Sequence, residues 1–137
     1  MANLTINTAS AGVADRGIPL TSVQVGEAVT QMQPGYYKTS DGLYYKARAG
    51  GSAEESRVTV MFLTPAAANG YSVVARVGAR LVIGATLTKG IRYALSATAG
   101  LICLHTDLAS GNYVVDLGLA ESTTVLTFDP DSKEVTK

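Results

Sequence analysis

The sequence predicts a mainly β fold: a single compact barrel or sandwich-like domain with one or two very short helices and an extended N-terminal arm. Three observations carry this. Glycine turns punctuate the apolar runs of the second half, as in Gly84-Ala-Thr-Leu-Thr-Lys-Gly90 and Gly111-Asn-Tyr-Val-Val-Asp-Leu-Gly118, and turns at roughly eight- to twelve-residue spacing mark a small antiparallel sheet folding back on itself. Ile91, Tyr93 and Leu95, like Tyr113, Val115 and Leu117, recur at every second position, the period of half-buried strands. Finally, Asp41-Gly42 separates two Tyr-Tyr-Lys phrases, Tyr36–Lys38 and Tyr44–Lys46. An Asp-Gly step between strand-like runs marks a hairpin, because glycine accepts the positive φ the turn needs.

Taken in order, residues 1–20 read as the arm. Leu4 and Ile6 alternate with polar neighbours before a small, weakly patterned stretch, and Asp15 and Arg16 stand where the arm would leave the domain. An arm of this kind adds to a partner's sheet edge, and its removal is expected to leave unfolding of the domain nearly unchanged. The β domain then spans 21–128. Leu20, Val23 and Val25 predict one strand, and Ala28 to Met32 a second that ends at Pro34-Gly35. In the hairpin that follows, Tyr37 can face Tyr44, Tyr45 or Lys46, depending on loop length.

Ser52-Ala-Glu-Glu55 has the spacing of a capping box and predicts a short helix. The β-branched Val58-Thr-Val60 ends it and opens a strand to Leu63, apolar on both phases and therefore central. Pro65-Ala-Ala-Ala68 predicts one helical turn closed by Asn69-Gly70. The remaining predicted strands are Tyr71 to Val77, Arg80 to Ile83, Ile91 to Ser96, Leu101 to His105, Tyr113 to Leu117 and Thr123 to Phe128, and the charged residues 129–137 read as a solvated tail.

Composition narrows the function. A chain of 137 residues buries roughly two thirds of its unfolded surface as one domain. Cys103 has no second cysteine to pair with, so no disulfide framework is expected. The opening residues lack the basic and apolar regions of an export signal. No apolar run approaches the roughly 20 residues of a membrane-spanning helix, so no membrane partner is expected. Eleven basic and eleven acidic residues give zero net charge, and the basic residues form no stripe that would neutralise phosphates, which argues against nucleic acid. The charged fraction of 16% lies below the roughly 25% of an ordinary soluble domain. So lightly charged a surface is expected to be partly covered by other subunits.

Chemistry-bearing residues are sparse. His105, Asp107 and Ser110 are the only sequence-near set resembling a nucleophile, base and orienter, but Asp107 and Ser110 lie in a turn-like phrase where such side chains bond local backbone. No catalytic residue is assigned. One histidine and one cysteine fall short of the three or four ligands zinc takes, Asp129-Pro-Asp131 lacks the glycine and distal glutamate of a calcium loop, and the glycine-rich runs lack the Lys-Ser/Thr ending of a phosphate loop. No metal or cofactor is expected. Tyr36, Tyr37, Tyr44 and Tyr45 fit a hairpin held by cross-strand aromatic pairs. They also fit a protein interface, and less well a sugar site.

The ordered phrases Tyr36-Tyr-Lys-Thr-Ser-Asp-Gly-Leu-Tyr-Tyr-Lys-Ala-Arg-Ala49, Leu63-Thr-Pro-Ala-Ala-Ala-Asn-Gly70, Leu87-Thr-Lys-Gly-Ile-Arg-Tyr-Ala-Leu-Ser-Ala-Thr-Ala-Gly100 and Asp107-Leu-Ala-Ser-Gly-Asn-Tyr-Val-Val-Asp-Leu-Gly-Leu-Ala-Glu-Ser-Thr-Thr124 together resemble the capsid cement, or head decoration, proteins of tailed bacteriophages. The resemblance runs from residue 34 to 128. It implies a non-enzymatic virion structural protein that binds the outer face of the major capsid protein lattice, clusters as a homotrimer and stabilises the head. The family offers no catalytic motif to carry over. Leu4, Ile6, Asp15, Arg16, Tyr36 and Tyr44 are the candidate contacts with capsid or neighbouring subunits, the first four from the arm's composition. An adhesion or fibre module touching host glycan through the tyrosines is the alternative.

Overall fold

Val60, Met61 and Phe62 are buried in succession, which a strand achieves only with apolar matter on both faces. They form β5 at the centre of a five-stranded sheet in the computed structural model, which describes residues 3–7, 11–14 and 20–137. The sheet's other strands are β2 (Thr21–Gln24), β3 (Gln33–Lys38), β4 (Leu43–Lys46) and β6 (Tyr71–Ala75), in the order β2-β6-β5-β3-β4. A second sheet of six strands combines β1 (Gly12–Val13), β7 (Arg80–Val82), β8 (Arg92–Leu95), β9 (Ile102–Cys103), β10 (Tyr113–Ala120) and β11 (Val125–Thr136), in the order β1-β7-β11-β10-β8-β9. All ladders are antiparallel. The result is a two-sheet sandwich, not a closed barrel.

Period-two alternation sorts the core. Met61 and Leu63 face the space between the sheets, with Tyr36, Leu81, Leu95, Leu117 and Phe128, joined by Val58 from the segment before β5. Val60 and Phe62 point the other way, into a smaller cluster with Val23, Val25, Val29 and Val74. The five-stranded sheet curls around this second cluster until its edges touch at one point, where Gly26 N–H donates to the Tyr44 carbonyl at 2.9 Å. Gly35 permits the tight curl, since a Cβ there would come within 2.6 Å of the buried Phe62 ring. In the other sheet, Gly118 occupies a bulge of β10 with φ +153°, where any side chain would collide with the Thr127 carbonyl.

Several elements differ from the sequence reading. The segment Ala28–Met32 is not a strand. Val29 bridges Ala66, Met32 N–H donates to the Phe62 carbonyl at 2.7 Å, and β3 starts at Gln33 and runs through Pro34-Gly35. Pro34 is tolerated because its nitrogen faces β4 beyond the end of that ladder: its carbonyl accepts from Ala47 N–H, while the Ala47 carbonyl accepts from Gly100 N–H, each at 2.9 Å. Residues 65–68 are not a helical turn either. Ala66 exchanges backbone hydrogen bonds with Val29 at 2.9 and 3.1 Å, so tertiary pairing overrides local helix preference. Asn69, at φ +67°, closes that loop.

The predicted capping box is present, with Ser52 N–H and Oγ bonded to Glu55 Oε1 and Glu55 N–H to Ser52 Oγ. The helix it precedes is a single 3-10 turn, Glu54–Ser56. A second 3-10 turn, His105–Asp107, follows β9.

Both termini are more integrated than their composition predicts. Residues 129–136 are not a solvated tail in their backbone, since β11 continues through them opposite β10, pairing Asp131 with Asp116, Ser132 with Val115 and Thr136 with Tyr113. Asp129, Asp131 and Glu134 are exposed on a paired strand. Across the sandwich, this ribbon meets the 3-10 turn through Ser132 Oγ–H on the Ser56 carbonyl and an Arg57–Glu134 ion pair.

The N-terminal segment is extended but lies along the domain. Leu4 N–H donates to the Ile102 carbonyl at 2.8 Å, Asn7 N–H to the Gly84 carbonyl at 2.7 Å, and Gly12–Val13 pair with Val82 and Leu81. Three residues of chain reach about 10 Å. Four strand spacings of a flat sheet from β7 to β9 measure about 19 Å, so the six-stranded sheet also curls, and residues 3–7 span its gap.

Candidate interaction surface

The tyrosine hairpin adopts the register Tyr36 opposite Tyr45, Tyr37 opposite Tyr44 and Lys38 opposite Leu43. The turn that fixes this register is built by Asp41, whose Oδ1 accepts from Leu43 N–H at 3.0 Å and whose Oδ2 accepts from the Tyr45 hydroxyl at 2.5 Å. That hydroxyl bond, followed by the one from Leu43, holds the Asp41 carboxyl below the usual carboxylate range. Cross-strand rings meet on both faces. Tyr36 and Tyr45 have centroids 6.1 Å apart, and Tyr37 and Tyr44 meet edge-on at 5.2 Å.

The two faces have different fates. Tyr36 is only 5% exposed and belongs to the inter-sheet core. Burial, reinforced by Glu55, pushes its hydroxyl up to about 12. As a surface contact Tyr36 is therefore a correction: its ring is inside. Tyr44 is half-buried against the small cluster, and the exposed ring of the four is Tyr37, at 44%. Strand alternation makes adjacent tyrosines point oppositely, but sequence does not say which pair faces inward.

Leu4 and Ile6 pack against the protein's own inter-sheet core. Asp15 and Arg16 lie outside the described residues. Of the six predicted contacts, the structure thus brings Leu4, Ile6 and Tyr36 to one core and leaves Tyr44 partly on the surface.

His105, Asp107 and Ser110 do not assemble as a triad. His105 Nε2 bonds the carboxylate of Asp116 on β10, a residue the local spacing did not single out because it lies on a different strand. Ser110 is exposed in the turn before β10. The His105 loop is pinned by Lys137, whose Nζ donates to the carbonyls of His105 and Leu108 at 3.1 and 2.8 Å. Beside it, Thr88, Ile91, Arg92, Leu104, His105 and Thr106 line an open trough of about 420 Å³. Cys103 is fully buried, and that burial pushes its thiol up to about 11. No group of three potential metal ligands occurs among the described residues.

The surface that sequence reading missed is the outer edge of β2. Val25 directs its backbone toward the β6 side, donating to the Gly70 carbonyl at 2.9 Å and accepting from Asn69 at 2.7 Å, whereas Gly26 N–H points the opposite way. By alternation, the backbone groups of Ser22 and Gln24 face away from β6. The Gln24 end of this side is met by β4 at the Val25–Tyr44 bridge, and among the described residues no strand pairs with the outward groups of Ser22. The strand Thr21-Ser-Val-Gln24 carries no charge or proline, the features that usually guard such an edge. Exposed apolar side chains frame it, Leu20 (45%) and Val77 (62%) at one end and Tyr71 (67%) at the other. The signal available in sequence was that missing guard. No family model, curated protein or solved structure matches this chain.

Proposed function

We propose that this chain is a non-enzymatic structural protein of a tailed-phage virion that binds the outer face of the major capsid lattice and stabilises the head, with the β2 edge as its principal contact. The observation that carries this reading is the unguarded stretch of that edge at Ser22, framed by Leu20, Tyr71 and Val77. An unpaired edge gains backbone hydrogen bonds by adding a strand of a partner, and its apolar frame gains burial in the same step. The ordered sequence phrases supply the partner class. A modest contact of this kind, repeated over a lattice, gains through multivalency.

The test uses heads assembled without the protein. They are expected to release DNA at lower temperature and to recover when the purified protein is added back. Ser22→Pro removes an outward N–H without touching the β2–β6 ladder, and is expected to weaken binding to undecorated heads at least tenfold while the isolated protein melts as wild type. Equal DNA release from complete and deficient heads overturns the function. Unaltered binding by Ser22→Pro overturns the edge as the contact.

A further inference from the structure

The trough beside His105 rests on observations independent of the β2 edge. Arg48, Arg57 and Arg80 each pair with a glutamate, and Arg76 reaches the Thr21 hydroxyl. Arg92 has no side-chain partner among the described residues, yet it lines the trough from β8, in register with Leu119 of β10. Ile91 and Leu104 supply exposed apolar walls. Thr88 and Thr106 add hydroxyl groups.

We infer that this trough binds a small amphipathic carboxylate, with its head on the Arg92 guanidinium and its hydrocarbon chain along Ile91 and Leu104. A guanidinium matches a carboxylate with two parallel N–H donors. A volume of about 420 Å³ falls in the range of small-ligand sites, which combine apolar walls with a few placed polar groups. The walls are already fixed. Arg92 stands on a strand paired on both sides, the Asp116 carboxylate orients the His105 ring, and Lys137 pins the His105 loop. The Asp116 carboxylate beside His105 also disfavours a multiply charged anion, so a monoanion with an apolar tail suits the site better than inorganic phosphate.

Octanoate, at concentrations where it is monomeric, is the probe, with amide chemical shifts of the full chain as the readout. Saturable shifts are expected at Thr88, Arg92, Leu104 and Thr106, with octan-1-ol weaker by at least tenfold and octylammonium without effect. Arg92→Gln should weaken octanoate at least tenfold, and Arg92→Lys should fall between it and wild type. Because Arg92 is exposed, both variants should melt as wild type. Absence of saturable shifts overturns the site. Equal binding of octan-1-ol and octanoate, or unaltered octanoate binding by both Arg92 variants, overturns the assigned head contact, as does competition by inorganic phosphate at equal concentration.

Discussion

Two buried residues turn the core into measurable chemistry. Tyr36 has its hydroxyl pushed up to about 12 by burial, so the folded state favours the neutral ring. Its contribution to stability is complete below pH about 10, the ordinary tyrosine value, and is lost as pH rises from there toward 12. Absorbance at 295 nm should show a final tyrosine ionisation that coincides with unfolding; titration of all seven tyrosines near pH 10 in a folded protein would place Tyr36 outside. Cys103, fully buried with its thiol pushed up to about 11, should react with a thiol reagent only as fast as the domain opens. Denaturant should accelerate labelling by orders of magnitude, and rapid labelling of the native protein would contradict its burial. Its position in an apolar strand was legible in sequence. The burial of Tyr36 was not, because Tyr36 and Tyr37 are chemically alike and only the sheet's place in the sandwich separates them.

Elements held together by neighbours in sequence were the legible ones. Asp41-Gly42 fixes its hairpin within a few residues, and Ser52 and Glu55 find one another three positions apart. The Arg48 guanidinium, ahead of other causes, lowers the Glu55 carboxyl. The associated stability is therefore present above the usual carboxylate range and lost as pH falls through it. Glu55→Gln should destabilise the domain by about 0.5–1 kcal/mol near neutrality, with the difference from wild type shrinking on acidification; a difference that grows at low pH would contradict the pairing. Elements fixed by distant partners were misread. Residues 129–136 have a solvated composition, yet β10 needs only their backbone, and Ala66 is drawn from a helix-like run by Val29. The N-terminal segment belongs to this class too. Leu4, Ile6 and Val13 pack on the core, so deleting residues 3–14 should destabilise by about 3 kcal/mol and lower the melting temperature by about 10 °C. An unchanged melting temperature would return the segment to the role of a free arm.

At the scale of the whole molecule, each sheet is drawn almost entirely from one half of the chain: β2 to β6 from residues 21–75 and β7 to β11 from residues 80–136. Residues 47–49 stitch the halves together, Ala47 accepting from Gly100 while Ala49 donates to Ser96 and accepts from Tyr113. The first residues break this division, since Asn3 bridges Cys103 and Gly12 pairs with Val82. On a ribosome the chain emerges from that end, so its opening segment must wait for β7 and β9 before it has anything to pair with. The five-stranded sheet can begin to organise during that interval, whereas closure across the ends of the other sheet comes late because such distant contacts bear a large loop-closure cost. Until then, the same backbone groups are free to engage a neighbouring nascent copy, and dense translation of this protein should make the docking of residues 3–7 and 12–13 the step most open to exchange between chains.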